Sequence, residues 1–325
     1  MPKNSLLNSE QEASKIAPEV ERSPLLADFI YLGILAIAIV ALAFSPIFTK
    51  LSEIEISPTA TIFNRLWIAT IIMAGWQLIK SPKGDAAVES EAEEFEFNSN
   101  YGQQALLVSA SVCATVSSLL WAISFTQTSV ASSTVLRSLT PLFISLGAWL
   151  ILKQQFNRQF LVGMAIAIAG GIAIGWGDVQ IGRGHLIGDG IALLSAALHG
   201  ANILIVGYLR DRRCTTTKIL LWRCSFGAAI ALPIVWLTGS HLFPVSVGGW
   251  LTVIALAVVC QTFGQGLLVF SLRQFSSSFV GIFALLKPLF TAILAWIIFT
   301  ESLSIVSIIA LVLILFGIYL AKSTD

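Results

Sequence analysis

The segment Thr140-Pro141-Leu142-Phe143-Ile144-Ser145-Leu146-Gly147-Ala148-Trp149 returns 147 residues later as Lys287-Pro288-Leu289-Phe290-Thr291-Ala292-Ile293-Leu294-Ala295-Trp296. The same shift, without a gap, brings Cys113 onto Cys260, Thr115 onto Thr262, Ser124 onto Ser271, Gln127 onto Gln274 and Gly170 onto Gly317. A shift of 158 then places Arg65 on Arg223. One such match is chance; an ordered series at constant offset is an internal duplication.

Both copies lie in nearly unbroken apolar sequence. Apolar residues make up 56% of the 325-residue chain and charged residues 11%, against about a quarter charged in soluble domains. A span needs about 20 mainly apolar residues, and ten windows qualify: 29–48, 60–79, 105–125, 130–152, 160–176, 186–209, 219–237, 250–272, 279–299 and 303–321. The expected fold class is therefore all-α integral membrane, with ten transmembrane helices as two five-helix repeats, 29–177 and 186–321. The acid-rich first 28 residues lack the layout of a signal peptide and read as a disordered cytoplasmic tail. The acidic insert 81–104 reads as a solvated loop and is assigned no chemistry.

Lysine and arginine fix the expected orientation. With the N-terminus inside, thirteen of the 19 fall in cytoplasmic segments (Lys3, Lys15, Arg22, Lys80, Lys83, Lys153, Arg158, Arg210, Arg212, Arg213, Lys218, Arg273, Lys322) and two, Lys50 and Arg183, outside. That bias supports both the count and cytoplasmic termini. Because five is odd, the second copy starts on the opposite side of the bilayer. Lys153 and Arg158 follow the fourth span, whereas the matching segment after the ninth holds no lysine or arginine. Inverted repeats of this kind characterise secondary transporters.

Two five-helix halves carrying Pro141-Leu142-Phe143…Trp149 and Pro288-Leu289-Phe290…Trp296-Ile297-Ile298-Phe299-Thr300-Glu301 resemble the EamA-type branch of the drug/metabolite transporter superfamily, over residues from about 29 to 321. The resemblance implies a ten-helix carrier of small metabolites working by alternating access, often an exporter of amino acids or related compounds. Two positions depart from the family's pattern. Gln154 stands where a second glutamate, mate of Glu301, is common, and Lys287 stands where relatives often carry an acid.

The remaining four basic residues, Arg65, Arg137, Arg223 and Lys287, fall inside predicted spans, and no acidic residue lies deep in any span. A cation at mid-bilayer costs at least ~2.5–3.5 kcal/mol, so each needs a partner, a watery cavity or a route to the interface. Arg65 and Arg223 lie near enough to helix ends to snorkel to the headgroups. Lys287 lies too deep for that and is expected to line a cavity; Arg137 is intermediate. Pro141 and Pro288 are expected to remove helix hydrogen bonds in mid-span and kink the helices beside Arg137, Thr140 and Lys287. These faces are read as an anion-accepting part of a central site. Asn64, His199, Asn202, Gln261 and Gln265 are further pathway candidates, each with interhelical hydrogen bonding as its plainer role. Gly163, Gly170, Gly171 and Gly175 give the fifth span small-residue faces for close packing.

The four cysteines, Cys113, Cys214, Cys224 and Cys260, have no metal or redox spacing. The sequence holds no P-loop, HExxH or GxSxG motif, and His185, His199 and His241 stand apart, so no enzyme, cofactor or metal is expected. The expected function is secondary transport, as an exporter, of a small polar metabolite such as an amino acid or organic anion. An exchanger of phosphorylated or carboxylated metabolites and a non-transporting receptor or scaffold are the alternatives. The expected partners are a small-molecule substrate and the lipid bilayer of the cell (inner) membrane; a homodimer is open, and no nucleic-acid partner is expected.

Overall fold

The computed structural model describes residues 24–79, 101–124, 127–128, 133, 136–175, 186–239, 241–299 and 305–322, and every regular element among them is helical. In chain order these are α1 (Pro24–Ala43), α2 (Ser45–Ser52), α3 (Pro58–Ile79), α4 (Tyr101–Ser124), α5 (Thr140–Leu152), α6 (Arg158–Gly175), α7 (Leu186–Asp211), α8 (Thr216–Leu237), α9 (Val247–Ala255), a π-helical segment (Leu256–Gly264), α10 (Gln265–Ser271), α11 (Ser277–Phe283), α12 (Leu286–Phe299) and α13 (Ile305–Lys322). Among them, Phe29–Ser52, Tyr101–Ser124, Leu186–Asp211, Thr216–Leu237 and Val247–Ser271 are long and apolar enough to cross a membrane, and Thr140–Leu152, Arg158–Gly170 and Val312–Ala321 are shorter apolar helices. Helix begins earlier than expected at two places. Pro24 opens α1 inside the expected tail, a position where proline's fixed φ helps and its missing N–H costs nothing. Tyr101 opens α4 inside the expected acidic loop. The rest of the tail and of that loop lie outside the described residues.

Prolines set the breaks, though not as mid-helix kinks. Pro46 follows the break at Phe44 between α1 and α2, and Pro141 sits at the start of α5. There a proline has no intrahelical N–H to forfeit, so the helix restarts at it. Tight turns lead into both repeat mates: Leu139 N donates to Leu136 O at 3.2 Å, and Lys287 N to Ala284 O at 3.0 Å. The expected kinks at Pro141 and Pro288 are thus true discontinuities, α11 ending at Phe283 before α12 restarts at Leu286.

Polarity is inside out relative to a water-soluble bundle. Trp149, Ile151, Trp236, Val312 and Tyr319 are exposed, while Asn64, Ser111, Thr115, Ser117, Ser195, Asn202 and Gln261 are buried. An apolar exterior around a polar interior belongs in lipid. Packing also repeats between the halves. The contacts α4–α7, α5–α7 and α4–α8 have counterparts in π/α10–α1, α12–α1 and π–α3, α3–α8 and α6–α13 join mates directly, and α5 of the fourth span meets α11 of the ninth. These contacts map onto one another when the halves are exchanged.

Close approaches depend on glycine. A Cβ on Gly163 of α6 would lie 2.6 Å from Gly317 O, and one on Gly317 of α13 would lie 2.5 Å from Gly163 O. Backbone cannot yield as a flexible side chain does. The expected small-residue packing of the fifth span is therefore realised at Gly163, against its partner in the last helix. In the middle, Ile144 of α5 fills the space left by Gly281 of α11, where a Cβ would meet Ile144 Cδ1 at 2.5 Å.

At one end of the bundle the halves are stapled by polar groups. Glu55, in the turn before α3, accepts from Val245 N and Ser246 N at 3.0 Å each and from the Ser246 hydroxyl. Ser246 in turn caps α9 through Gly249 N at 2.9 Å. Asn64 Nδ2 donates to Leu242 O at 2.7 Å, and Phe63, Trp67, Phe243 and Trp250 form a ring cluster beneath. The donors around Glu55, the Ser246 hydroxyl first, hold its carboxyl below the ordinary value of 4.5.

Gly163→Val is expected to force α6 and α13 apart, lowering stability by about 1–3 kcal/mol, read as a drop in melting temperature in detergent, whereas Gly190→Val, where nothing lies within 4 Å of an added Cβ, leaves packing unaffected. Glu55→Gln is expected to lower the melting temperature at neutral pH. A carboxyl depressed in the folded state stabilises above its unfolded value and loses that contribution as pH falls through the folded one. The gap between wild type and variant should therefore close as pH falls below 4.5.

Candidate functional site

Arg65 of α3, Arg137 in the turn before α5, Arg223 of α8 and Lys287 of α12 converge on the bundle interior. All four charges act on one imidazole, His199 of α7, with Arg137 foremost, then Arg223, Lys287 and Arg65. They also act on one another: Arg65 on Arg137, Arg223 and Lys287, and Arg137 on Lys287. Among the described residues, no carboxylate is one of the charged groups acting on the four cations. Two cations come from each repeat.

Their direct partners are neutral. Arg137 donates through Nη1 to Ser195 Oγ at 2.5 Å and lies over the Trp121 ring, 4.8 Å from its centroid. Ser195 can accept because its own proton goes to Ser117 O at 2.8 Å, while Ser117 Oγ donates to Ser195 O at 2.9 Å. That reciprocal pair locks α4 to α7 and aims one hydroxyl lone pair at the arginine. Arg223, 7% exposed, donates through Nη1 to Gln265 Oε1 at 3.1 Å. Arg65 Nε is buried with no hydrogen-bond partner. Arg65, Arg137, His199 and Lys287 are partly buried.

The snorkelling route open to Arg65 and Arg223 from sequence is not the one taken: both turn inward, toward each other and His199. Near-uniform apolar helices offer no polar stripe to reveal such a rotation. Thr140 Oγ1 donates to Arg137 O at 2.7 Å and so fixes the turn carrying that cation. Pro141 and Pro288 follow the breaks from which Arg137 and Lys287 emerge.

Two other candidates, Asn64 and Gln261, bond between elements. Asn64 donates to Ala60 O at 2.9 Å and to Leu242 O, and accepts from Trp67 Nε1 at 2.9 Å. Those bonds hold a helix to a loop of the other half. Gln261 Nε2 donates to Cys224 Sγ at 3.4 Å across the π segment. Asn202 is buried with its Oδ1 unpartnered. Asp189 accepts from Thr128 Oγ1 at 2.7 Å at the start of α7, and Glu301 lies outside the described residues. The described cysteines are free, and Cys224 and Cys260 both lie within electrostatic range of Arg65. The roles of Ser195, Trp121 and the π segment carry no mark in the sequence; they emerge only when α4, α7 and α3 are packed together. Chemically, the cluster offers many N–H donors, net positive charge and few acceptors. An acceptor-rich anion is its natural complement.

Comparison with known proteins agrees with this architecture. A search of curated proteins finds no match. Among solved structures, one described only as "Crystal structure of protein" superposes with a TM-score of 0.74 at 15% identity, covering 89% of this chain and 95% of the other; at that identity the likeness concerns the fold. The model of the EamA-like transporter family matches residues 29–176 and again 186–322. With most of an apolar, inside-out helical chain covered by two such matches, this protein belongs to the EamA-like transporter family and is an integral membrane transporter of the drug/metabolite type.

Proposed function

We propose that this protein is a secondary carrier that exports a small polar metabolite of anionic character by alternating access. The observation that carries this reading is the convergence of four cations on His199 with no carboxylate of the described residues among the groups acting on it. Four positive charges in a lipid-embedded bundle are costly, at least ~2.5–3.5 kcal/mol each. Such a cluster is retained where a ligand of opposite charge uses it.

The carrier reading places ten spans in the cell membrane as two inverted five-helix units, both termini in the cytoplasm. The matching of α4–α7 with π/α10–α1 and of α5–α7 with α12–α1, and the helix breaks before Pro141 and Pro288, support it. Discontinuous helices meeting at the repeat interface are the usual frame of a transporter's binding site. Loop charge supports the orientation. Arg65, Arg137, Arg223 and Lys287 are the proposed anion contacts, with His199 among them and Thr140, Gln265 and Asn202 holding the surrounding surface. Asn64 and Gln261 act in this reading as positioning residues.

Lys287→Ala is expected to lower transport of an organic anion into proteoliposomes by about tenfold or more, the loss associated with a charge-assisted contact. Membrane insertion and melting temperature should stay near wild type. Unchanged transport in the correctly inserted variant removes the lysine, and with it the anion site, from the mechanism.

A further inference from the structure

Partner counting carries the identity of the substrate one step further, given the carrier reading. Arg65 has its Nε buried without a partner. Arg137 and Arg223 each direct one N–H to a neutral oxygen, Ser195 Oγ and Gln265 Oε1. Lys287 carries a fourth charge within range of Arg65 and Arg137. Each guanidinium has five N–H donors, so the donor capacity at the site exceeds what these bonds to the described residues use. A zwitterion would bring an ammonium group into this cluster, where the described residues offer no carboxylate to receive it. A monoanion would leave most of the positive charge unmatched inside an apolar bundle. Only an organic anion bearing two or more negative charges, a dicarboxylate or a phosphate ester, approaches the site's charge and supplies enough acceptor oxygens.

The distribution of the cations adds a constraint on movement. Arg65 and Arg137 belong to the first repeat, Arg223 and Lys287 to the second. Any rocking of the halves that seals the site brings like charges together behind a water-excluding wall. Without an anion the sealed state is strongly disfavoured; with a dianion it is bridged. We propose that the site takes organic anions of at least two negative charges and that the carrier reorients only when one is bound, so that transport is obligate exchange.

The test uses the full-length protein in liposomes loaded with succinate, glycerol 3-phosphate, alanine or buffer alone, with labelled succinate, glycerol 3-phosphate, lactate and alanine supplied outside. Labelled dianion is expected to enter dianion-loaded liposomes at least about tenfold faster than buffer- or alanine-loaded ones, the mark of a loaded form that alone can reorient. Comparison of succinate with glycerol 3-phosphate separates a dicarboxylate site from a phosphate-ester site. Equal entry into empty and loaded liposomes overturns exchange. Preferential entry of alanine or lactate overturns the dianion class while leaving the carrier reading intact. If none of the four labels moves, and neither succinate, glycerol 3-phosphate nor inorganic phosphate raises the melting temperature of the purified protein, the carrier reading falls and this inference with it. The last comparison is sensitive because a ligand present at 100 times its Kd raises stability by about 2.7 kcal/mol.

Discussion

Four positive side chains share the interior of an apolar bundle, and most of the local structure around them answers that constraint. Two unit charges 4 Å apart interact by about 4 kcal/mol at an effective dielectric of 20, so like charges cannot be packed together at will. Two of them are instead separately housed. Arg137 has a hydroxyl and an indole face, and Arg223 has a glutamine oxygen. Those neutral acceptors position the cations without cancelling them. A carboxylate in their place would fix the same geometry and abolish the attraction for an anion. The serine pair Ser117–Ser195, unremarked in the sequence, matters for this reason: its crossed hydrogen bonds leave one lone pair for a guanidinium.

Holding such a site requires backbone precision that lipid does not supply. Between helices in a bilayer there is no hydrophobic driving force, and close contact through small residues takes its place. Gly163 and Gly317 bring α6 and α13 together, and Gly281 admits Ile144 between α5 and α11. At one end of the bundle, Glu55 and Asn64 of the first half bind loop backbone of the second. The central cations are thus suspended between two halves tied by packing at one set of contacts and by hydrogen bonds at another.

How much of this the sequence discloses depends on which interactions are local. The duplication, the apolar windows and the positions of the helix breaks are legible because each depends on a short run of residues. Pro141 and Pro288 mark their breaks directly, although the sequence does not say whether a helix bends or restarts; the preceding tight turns decide that. Rotation about a helix axis is another matter. Arg65 and Arg223 lie in helices apolar on nearly every side, so nothing local distinguishes an inward arginine from a snorkelling one. Asn64 shows the same limit, since its partner Leu242 O is 178 residues away. The cluster is a property of packing, and only its membership could be read beforehand.

The halves share a plan but not a conformation. Residues 109–117, the counterpart of the π segment Leu256–Gly264 at the 147-residue shift, are ordinary α-helix within α4. A π turn takes up an extra residue and rotates the helix on its C-terminal side relative to the helix on its N-terminal side. Here it lies against α1, where Cys260 Sγ donates to Ala41 O at 3.3 Å beside the break at Phe44, and against α3, which carries Arg65. Thr291 of α12, one turn beyond Lys287, donates to Ala43 O at 3.0 Å at the same break. The kinked first helix, the π turn and the restarted helix with its lysine therefore form one connected unit on one side of the cations. On the other side Thr140 occupies the place of Lys287, and straight helix that of the π turn. On the proposed reading of two inverted units, unlike conformations in equivalent segments are what an opening to one side consists of. The unit containing the π turn bears on Arg65 and Lys287 together, so a change in that turn would shift two of the four charges relative to the pair held by Ser195 and Gln265.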